Sequence, residues 1–443
     1  MPKNLLILLS VLVYAGLLIF LPLDDMLVKG LSLFVFIAIL WLTEAIPLSI
    51  TALLVPLCAT LTEILPLREA LASFATPIIF LFLAGFAMAA SLKKQGIDMY
   101  LADKVIQLAR GNLLPAILLL FGLTAVMSMW MSNTATIAVM MPLALGLIAQ
   151  SSPKPCAKLY LFALLGLAYS ASVGGIATLV GSPPNAIIAL EMGLDFYGWL
   201  QYGLPISAVL LPCVLIALWL MIRPDLNHKF DYEPTSFTFT REGVLTIAIF
   251  LITVLLWVSS KSISAALGGI KNFDVLVALL SITLLGISRV IDWKDIEEQA
   301  DWGVLLLFGG GLCLSAILKT TGVSDFIANA ISSGLIGVSM WLVIASIALF
   351  VVFLTELSSN TASAAVLVPI FVPVAEALGV PAMAMAITIG VAASCAFMLP
   401  VATPPNAIVF SSGKVPLNEM MKKGLVLNMM CVVLLLLLVQ MVW

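Results

Sequence analysis

Long apolar runs separated by short polar stretches fill the chain from end to end. Runs near the length of about 20 residues that a helix needs to cross hydrocarbon fall at 4–22, 28–46, 49–65 and 76–92. A polar, amphipathic stretch at 93–112 leads into a longer apolar block, 113–150. Further runs lie at 159–190, 198–222, 243–260, 273–290 and 303–318. A second long block occupies 338–377, and runs at 383–411 and 424–443 complete the series. One sizeable polar insertion, 223–242, divides it into halves. The pattern predicts an all-α polytopic membrane protein.

Each long block carries polar residues at its centre, and the two centres match. SNTATIAVMMP (132–142) and SNTASAAVLVP (359–369) agree at seven of eleven positions. TLVGSPPNAIIA (178–189) pairs with LPVATPPNAIVF (399–410), and FLFLAGFAMAASLKKQG (80–96) pairs more weakly with LLFGGGLCLSAILKTTG (306–322). The three offsets are 227, 221 and 226 residues, in the same order along the chain, which marks an internal duplication.

A block with a polar centre is long enough to enter and leave by one face, so each is read as a re-entrant hairpin. Each half then holds five full spans, an odd number, and the halves are inverted repeats. The expected architecture is a leading helix (1–27), a first repeat (28–222; hairpin 113–150, broken helix 159–190), a cytoplasmic linker (223–242) and a second repeat (243–443; hairpin 338–377, broken helix 383–411). That makes eleven transmembrane helices plus two re-entrant hairpins. A cytoplasmic N-terminus and an outside C-terminus put most of the 20 Lys and Arg inside, among them Lys93, Lys94, Lys104, Arg110, Arg289, Lys294, Lys422 and Lys423, as the positive-inside rule requires. The first apolar segment lacks a small-x-small cleavage site and reads as a retained span.

Composition narrows the function classes. With 63% hydrophobic and 10% charged residues, and a mean hydropathy of +1.20, the chain has too little charge to cover a soluble protein's surface. No basic run points to nucleic acid. Six scattered cysteines without a CxxC, and a single histidine, His228, in the polar insertion, supply no zinc or disulfide framework. A nucleophile–base pair is also missing from the apolar segments, which makes a membrane enzyme the weakest class.

The duplicated motifs suit ion binding. Pro183, Pro184, Pro404 and Pro405 lack amide donors and break a helix, which frees carbonyls near Gly181 and Ala402 as hard oxygen ligands. Ser, Asn and Thr at a hairpin tip are N-caps, and the amides of the half-helix that follows attract an anion without an arginine. Ser128 and Thr355 stand four residues before their SNT serines, one helical turn away. Hydroxyl, asparagine oxygen and freed carbonyl make a sodium cage in each half, with one shared anion between two cages. Glu356, beside the second SNT, is the only acid near these motifs, and Met129 is its counterpart; functional and capping roles stay open. Glu44 reads as interfacial, and the glycines of 308–311 and 173–175 as packing or hinge positions.

With these motifs assembled, the chain resembles the divalent anion/sodium symporter family, closest to its INDY-type bacterial dicarboxylate carriers. The likeness rests on WLTEAIPLS (41–49), FATPIIF (74–80), ADWGVLLLFGGGLCLS (300–315), SNTASAA (359–365) and AASCAFMLPVATPPNAIVFSSG (392–413). It implies a homodimer in the bacterial inner membrane, with scaffold and transport domains and an elevator movement. Sodium would drive uptake of succinate, malate or fumarate; at least two sodium ions and no organic cofactor are expected. The resemblance places one sodium at Ser128, Ser132, Asn133 and the Gly181 carbonyl, and another at Thr355, Asn360 and the Ser358 and Ala402 carbonyls. Position 358, often alanine in the family, is serine here. Substrate carboxylates would meet Ser132, Asn133, Thr134, Ser359, Asn360 and Thr361, with Ser182, Thr403 and Pro404 lining the pocket. By the same resemblance 93–112 and 319–336 are interfacial arms. A citrate or tricarboxylate carrier, a sodium-independent exchanger and, from another class, an anion channel remain as alternatives.

Overall fold

A computed structural model describes residues 2–151, 156–231, 237–334 and 338–440. Of the expected linker, 232–236 lie outside the described residues, as do 441–443 of the closing run. The described chain is all-helical, and its single extended pairing is an isolated bridge between Asn112 and Lys229. Among the described residues, ten helices are long and apolar enough to cross a membrane. They include Lys3–Phe20, Asp25–Thr43, Phe196–Ile222, Arg241–Val258, Trp302–Thr320 and Leu417–Val439. Leu48–Leu61 and Phe273–Ile287 are shorter apolar helices at expected spans. The closing helix starts at Leu417, seven residues before the expected run. Its first turns are amphipathic, with Lys423 and Glu419 paired at 2.6 Å one turn apart.

Each long block forms a helical hairpin. Leu113–Ser128 turns through four residues into Asn133–Ser151, and Met340–Thr355 turns into Asn360–Ala377. Length alone would let each second arm cross a membrane, but each packs beside its own first arm and begins at a shared internal cavity. The proline motifs interrupt helices as expected. Ala157–Gly174 stops before Gly175 and resumes as Pro183–Met192; Ala382–Ser394 stops and resumes as Pro404–Ser411. In both cases the prolines sit in the first turn, where a missing N–H costs nothing.

Cross-packing joins the halves. Pro183–Met192 packs on Asn360–Ala377 and Ala382–Ser394, while Pro404–Ser411 packs on Asn133–Ser151 and Ala157–Gly174. Each half-helix after a break therefore completes the other half's hairpin. The polar stretches become short amphipathic helices, Ile97–Leu108 and Val323–Gly334, entered through Gly96 (φ 66°) and Gly322 (φ 75°). Those left-handed turns explain the repeated glycine in LKKQG and LKTTG. The described end of the linker lies on the first of these helices, with Phe237 and Phe239 ring centroids 4.7 and 4.9 Å from Tyr100.

Candidate functional site

Two hairpin tips and two helix breaks meet at one cavity of about 740 Å³. Ser132, Asn133, Thr134, Ser182, Ser359, Asn360, Thr361, Thr403 and Pro404 all line it, with the Gly181 and Ala402 segments between them. Every residue that the resemblance assigned to substrate is therefore in one place. None of the lining residues is Lys or Arg. Positive potential comes instead from half-helix N-termini that begin at the cavity wall. The Ser132 hydroxyl accepts from Ala135 N at 3.2 Å and Ser359 from Ala362 N at 3.5 Å, so both serines cap their half-helices. Thr403 caps the fourth, accepting from Asn406 N at 3.3 Å.

Ser128, Thr355 and Ser358 sit behind this wall, buried. Here the two halves repeat one arrangement. Ser128 Oγ donates to Ala171 O at 2.7 Å and also contacts Asn133 Oδ1. Thr355 Oγ1 lies 2.5 Å from Asn360 Oδ1 and 3.1 Å from Ala393 O. A hydroxyl has one proton, so each cluster holds more acceptors than donors. In the first half the surplus converges on a point. A methyl group on Gly175 would lie 2.8 Å from Asn133 Oδ1, 2.9 Å from Gly181 O and 3.4 Å from Ala171 O. Asn133 Oδ1 and Gly181 O thus face a space that only glycine leaves open, a cradle that could hold a small hard cation. Ala171 O already accepts from Gly175 N at 3.0 Å and from Ser128 Oγ. The Ser358 hydroxyl is engaged elsewhere, with Leu354 O and Ser363 Oγ, which leaves its carbonyl as the available ligand.

The sequence reading gave the asparagines of the two PPNA strings no role, and the structure gives them one. Asn185 Nδ2 donates to Gly175 O at 2.9 Å and Thr178 O at 2.7 Å. Asn406 Nδ2 donates to Ala396 O at 3.0 Å and Leu399 O at 3.1 Å. Both side chains are fully buried and hold the non-helical segment that carries the freed carbonyls. Their conservation of position between the repeats was the available signal.

Glu356 also has a structural role. Its carboxylate accepts from Met398 N at 2.8 Å, Leu399 N at 2.9 Å and Asn428 Nδ2 at 2.7 Å. Asn428 Oδ1 in turn accepts from Phe397 N at 3.2 Å, and Tyr169 OH donates to Phe397 O at 2.8 Å. In the first half the tie is reversed: the Thr178 hydroxyl donates to the main-chain oxygen of Met129. Both repeats thus lash hairpin tip to broken segment, one with a loop side chain, the other with a tip side chain.

Glu44, Ser49 and Asp301 also line the cavity. Glu44 lies at the end of Asp25–Thr43 in a left-handed conformation (φ 46°), and Asp301 caps Trp302–Thr320.

Comparison with known proteins agrees with this geometry. Residues 38–390 match the citrate transporter family, CitMHS. The chain belongs to this transporter family. Over its whole length the transporter is 46% identical to an uncharacterized transporter of Haemophilus influenzae, covering 97% of that protein. It is 32% identical to the sodium-dependent dicarboxylate transporter SdcS of Staphylococcus saprophyticus, across 96% of this chain and 88% of that one. Among solved structures it resembles the YdaH transporter of Alcanivorax borkumensis, with a TM-score of 0.57 at 12% identity over 84% of this chain and 86% of that one. That likeness concerns the fold. The transporter is therefore a multi-pass membrane carrier and not an enzyme.

Proposed function

We propose that the transporter couples sodium entry to uptake of C4-dicarboxylates such as succinate, malate and fumarate. The observation that carries this reading is the convergence of Asn133 Oδ1 and Gly181 O beside a cavity free of Lys and Arg. Sodium fills the first cradle and its counterpart at Thr355, Asn360, Ser358 and Ala402. The dianion sits between them on the Ser132–Thr134 and Ser359–Thr361 half-helix ends, with Ser182, Thr403 and Pro404 at its flanks. The sodium dependence named for the staphylococcal relative supports the coupling. Captured cations neutralise a doubly negative guest that neutral dipoles alone would hold weakly.

Hairpins and broken helices move as one body against the remaining helices, with Ile97–Leu108 and Val323–Gly334 as connecting arms. Glu44 and Asp301, which line the cavity, lie at the face that the Lys and Arg distribution assigns to the cytoplasm, which supports an inward-open reading. Assembly as a homodimer in a bacterial inner membrane follows from the family resemblance.

Proteoliposomes with an inward sodium gradient should accumulate labelled succinate, and uptake without sodium should fall to background. Equal uptake in both refutes the coupling. Sodium dependence should be sigmoidal, because at least two cations bind per dianion; a Hill slope near one argues against two cooperating sites. Asn133→Ala and Asn360→Ala should each abolish uptake while the protein still elutes as a folded species, since each removes a cation ligand and a substrate contact together. The family match favours citrate as a second substrate reading. Competition of succinate uptake by malate, fumarate, citrate and sulfate ranks the two.

A further inference from the structure

We infer that Gly85 and Gly311 are paired seats occupied in alternation, and that the opposite state places Ala138 on Gly85 and Val401 on Gly311. The inference rests on the transport reading above, and it specifies contacts of a state that this structure does not display.

The two glycines hold the same position in the repeats, in FLFLAGF and LLFGGGL. A methyl group on Gly85 would lie 3.3 Å from the Cβ of Val180, and one on Gly311 would lie 3.5 Å from the Cβ of Ala365. Both are contacts between a helix outside the moving body and a residue within it, tight at Gly85 and ordinary van der Waals packing at Gly311. The occupants differ, however. Val180 belongs to the first broken helix, whereas Ala365 belongs to the second hairpin.

Repeat matching pairs Val180 with Val401 and Ala365 with Ala138. Those two counterparts are the residues left without a seat. Val401 is 76% exposed and Ala138 is exposed, while Ala365 is 1% exposed and Val180 half-buried. The pattern is reciprocal across all four residues. Each seat holds one of its two natural partners, and each unseated partner faces open space.

The cavities follow the same pattern. A smaller cavity of about 420 Å³ is lined by Ile78, Leu81, Leu179 and Asp274. Their counterparts Val304, Leu307, Pro400 and Leu48 line the large cavity. One region of the fold therefore exists twice, wide in one repeat and narrow in the other. Exchanging the conformations of two inverted repeats generates the state that opens to the other face. In that state the narrow cavity widens into the outer entrance and the seats change occupants.

Disulfide capture tests the exchange. The full-length protein, with its six native cysteines replaced, is reconstituted with one cysteine pair at a time. Gly85→Cys with Val180→Cys and Gly311→Cys with Ala365→Cys report this state. Gly85→Cys with Ala138→Cys and Gly311→Cys with Val401→Cys report the opposite one. A disulfide forms at a Cβ separation of about 3.5–4.5 Å, so only true occupants are captured. All four pairs should cross-link under mild oxidation, halt uptake and recover on reduction. Cross-linking of the first two pairs alone, in protein that still transports when reduced, overturns the inference and leaves the transport reading intact. Cross-linking of all four in protein that shows no sodium-driven uptake upholds the seat exchange and overturns the transport reading.

Discussion

Replacing Gly175 by alanine should abolish sodium-driven transport in a protein that still folds. Gly175 ends its helix at φ −60° and ψ −21°, a conformation alanine adopts freely. Backbone strain is therefore not at issue. The added methyl group would occupy the space between Asn133 Oδ1 at 2.8 Å and Gly181 O at 2.9 Å, where the proposed cation stands. Without that ion the site loses its coupling, and a loss of uptake on the order of 100-fold is expected, near the top of the usual range for linked sites. Sodium should also cease to raise the thermal stability of the purified protein through this site, because a ligand stabilises only the state that binds it. Gly146→Ala serves as the control: nothing lies within 4 Å of the added group, and uptake should be unchanged. Uptake by the Gly175→Ala protein with normal sodium dependence would falsify the cradle.

Glu356→Gln should lower uptake at least about tenfold and raise the sodium concentration needed for half-saturation. The carboxylate accepts three hydrogen bonds, from Met398 N, Leu399 N and Asn428 Nδ2. An amide offers one oxygen and brings a donor, so at least one of those buried donors faces another donor. Each stranded group costs about 1–3 kcal/mol. The loss falls on the segment that carries the Ala402 carbonyl, next to the second proposed cation site. Met129→Leu provides the contrast in the other repeat. Only the main-chain oxygen of Met129 receives the Thr178 hydroxyl, so that change should leave sodium dependence intact. Wild-type sodium saturation in Glu356→Gln would show that the tie is dispensable.

Much of this molecule was legible before any coordinates. Apolar length and periodicity determine which segments are helices, because a helix in lipid satisfies its own backbone and little else can. Duplicated SNT and PPN strings determine where helices break, since proline cannot continue one and a hydroxyl can begin one. The same strings name nine of the cavity-lining residues, because polar side chains in an apolar span need a partner or a solute.

Tertiary structure alone decided which oxygens share a point and which side chain secures them. Asn185 and Asn406 were visible as identities, but their grip on carbonyls seven to ten residues back depends on a fold-back that no periodicity encodes. Glu356 and Met129 occupy matched positions, yet only their neighbours show that one ties through its side chain and the other through its backbone. The difference between Val180 and Val401 is likewise absent from their matching identities. It arises because one sequence repeat can be packed two ways, and which packing each half adopts depends on contacts with the other half.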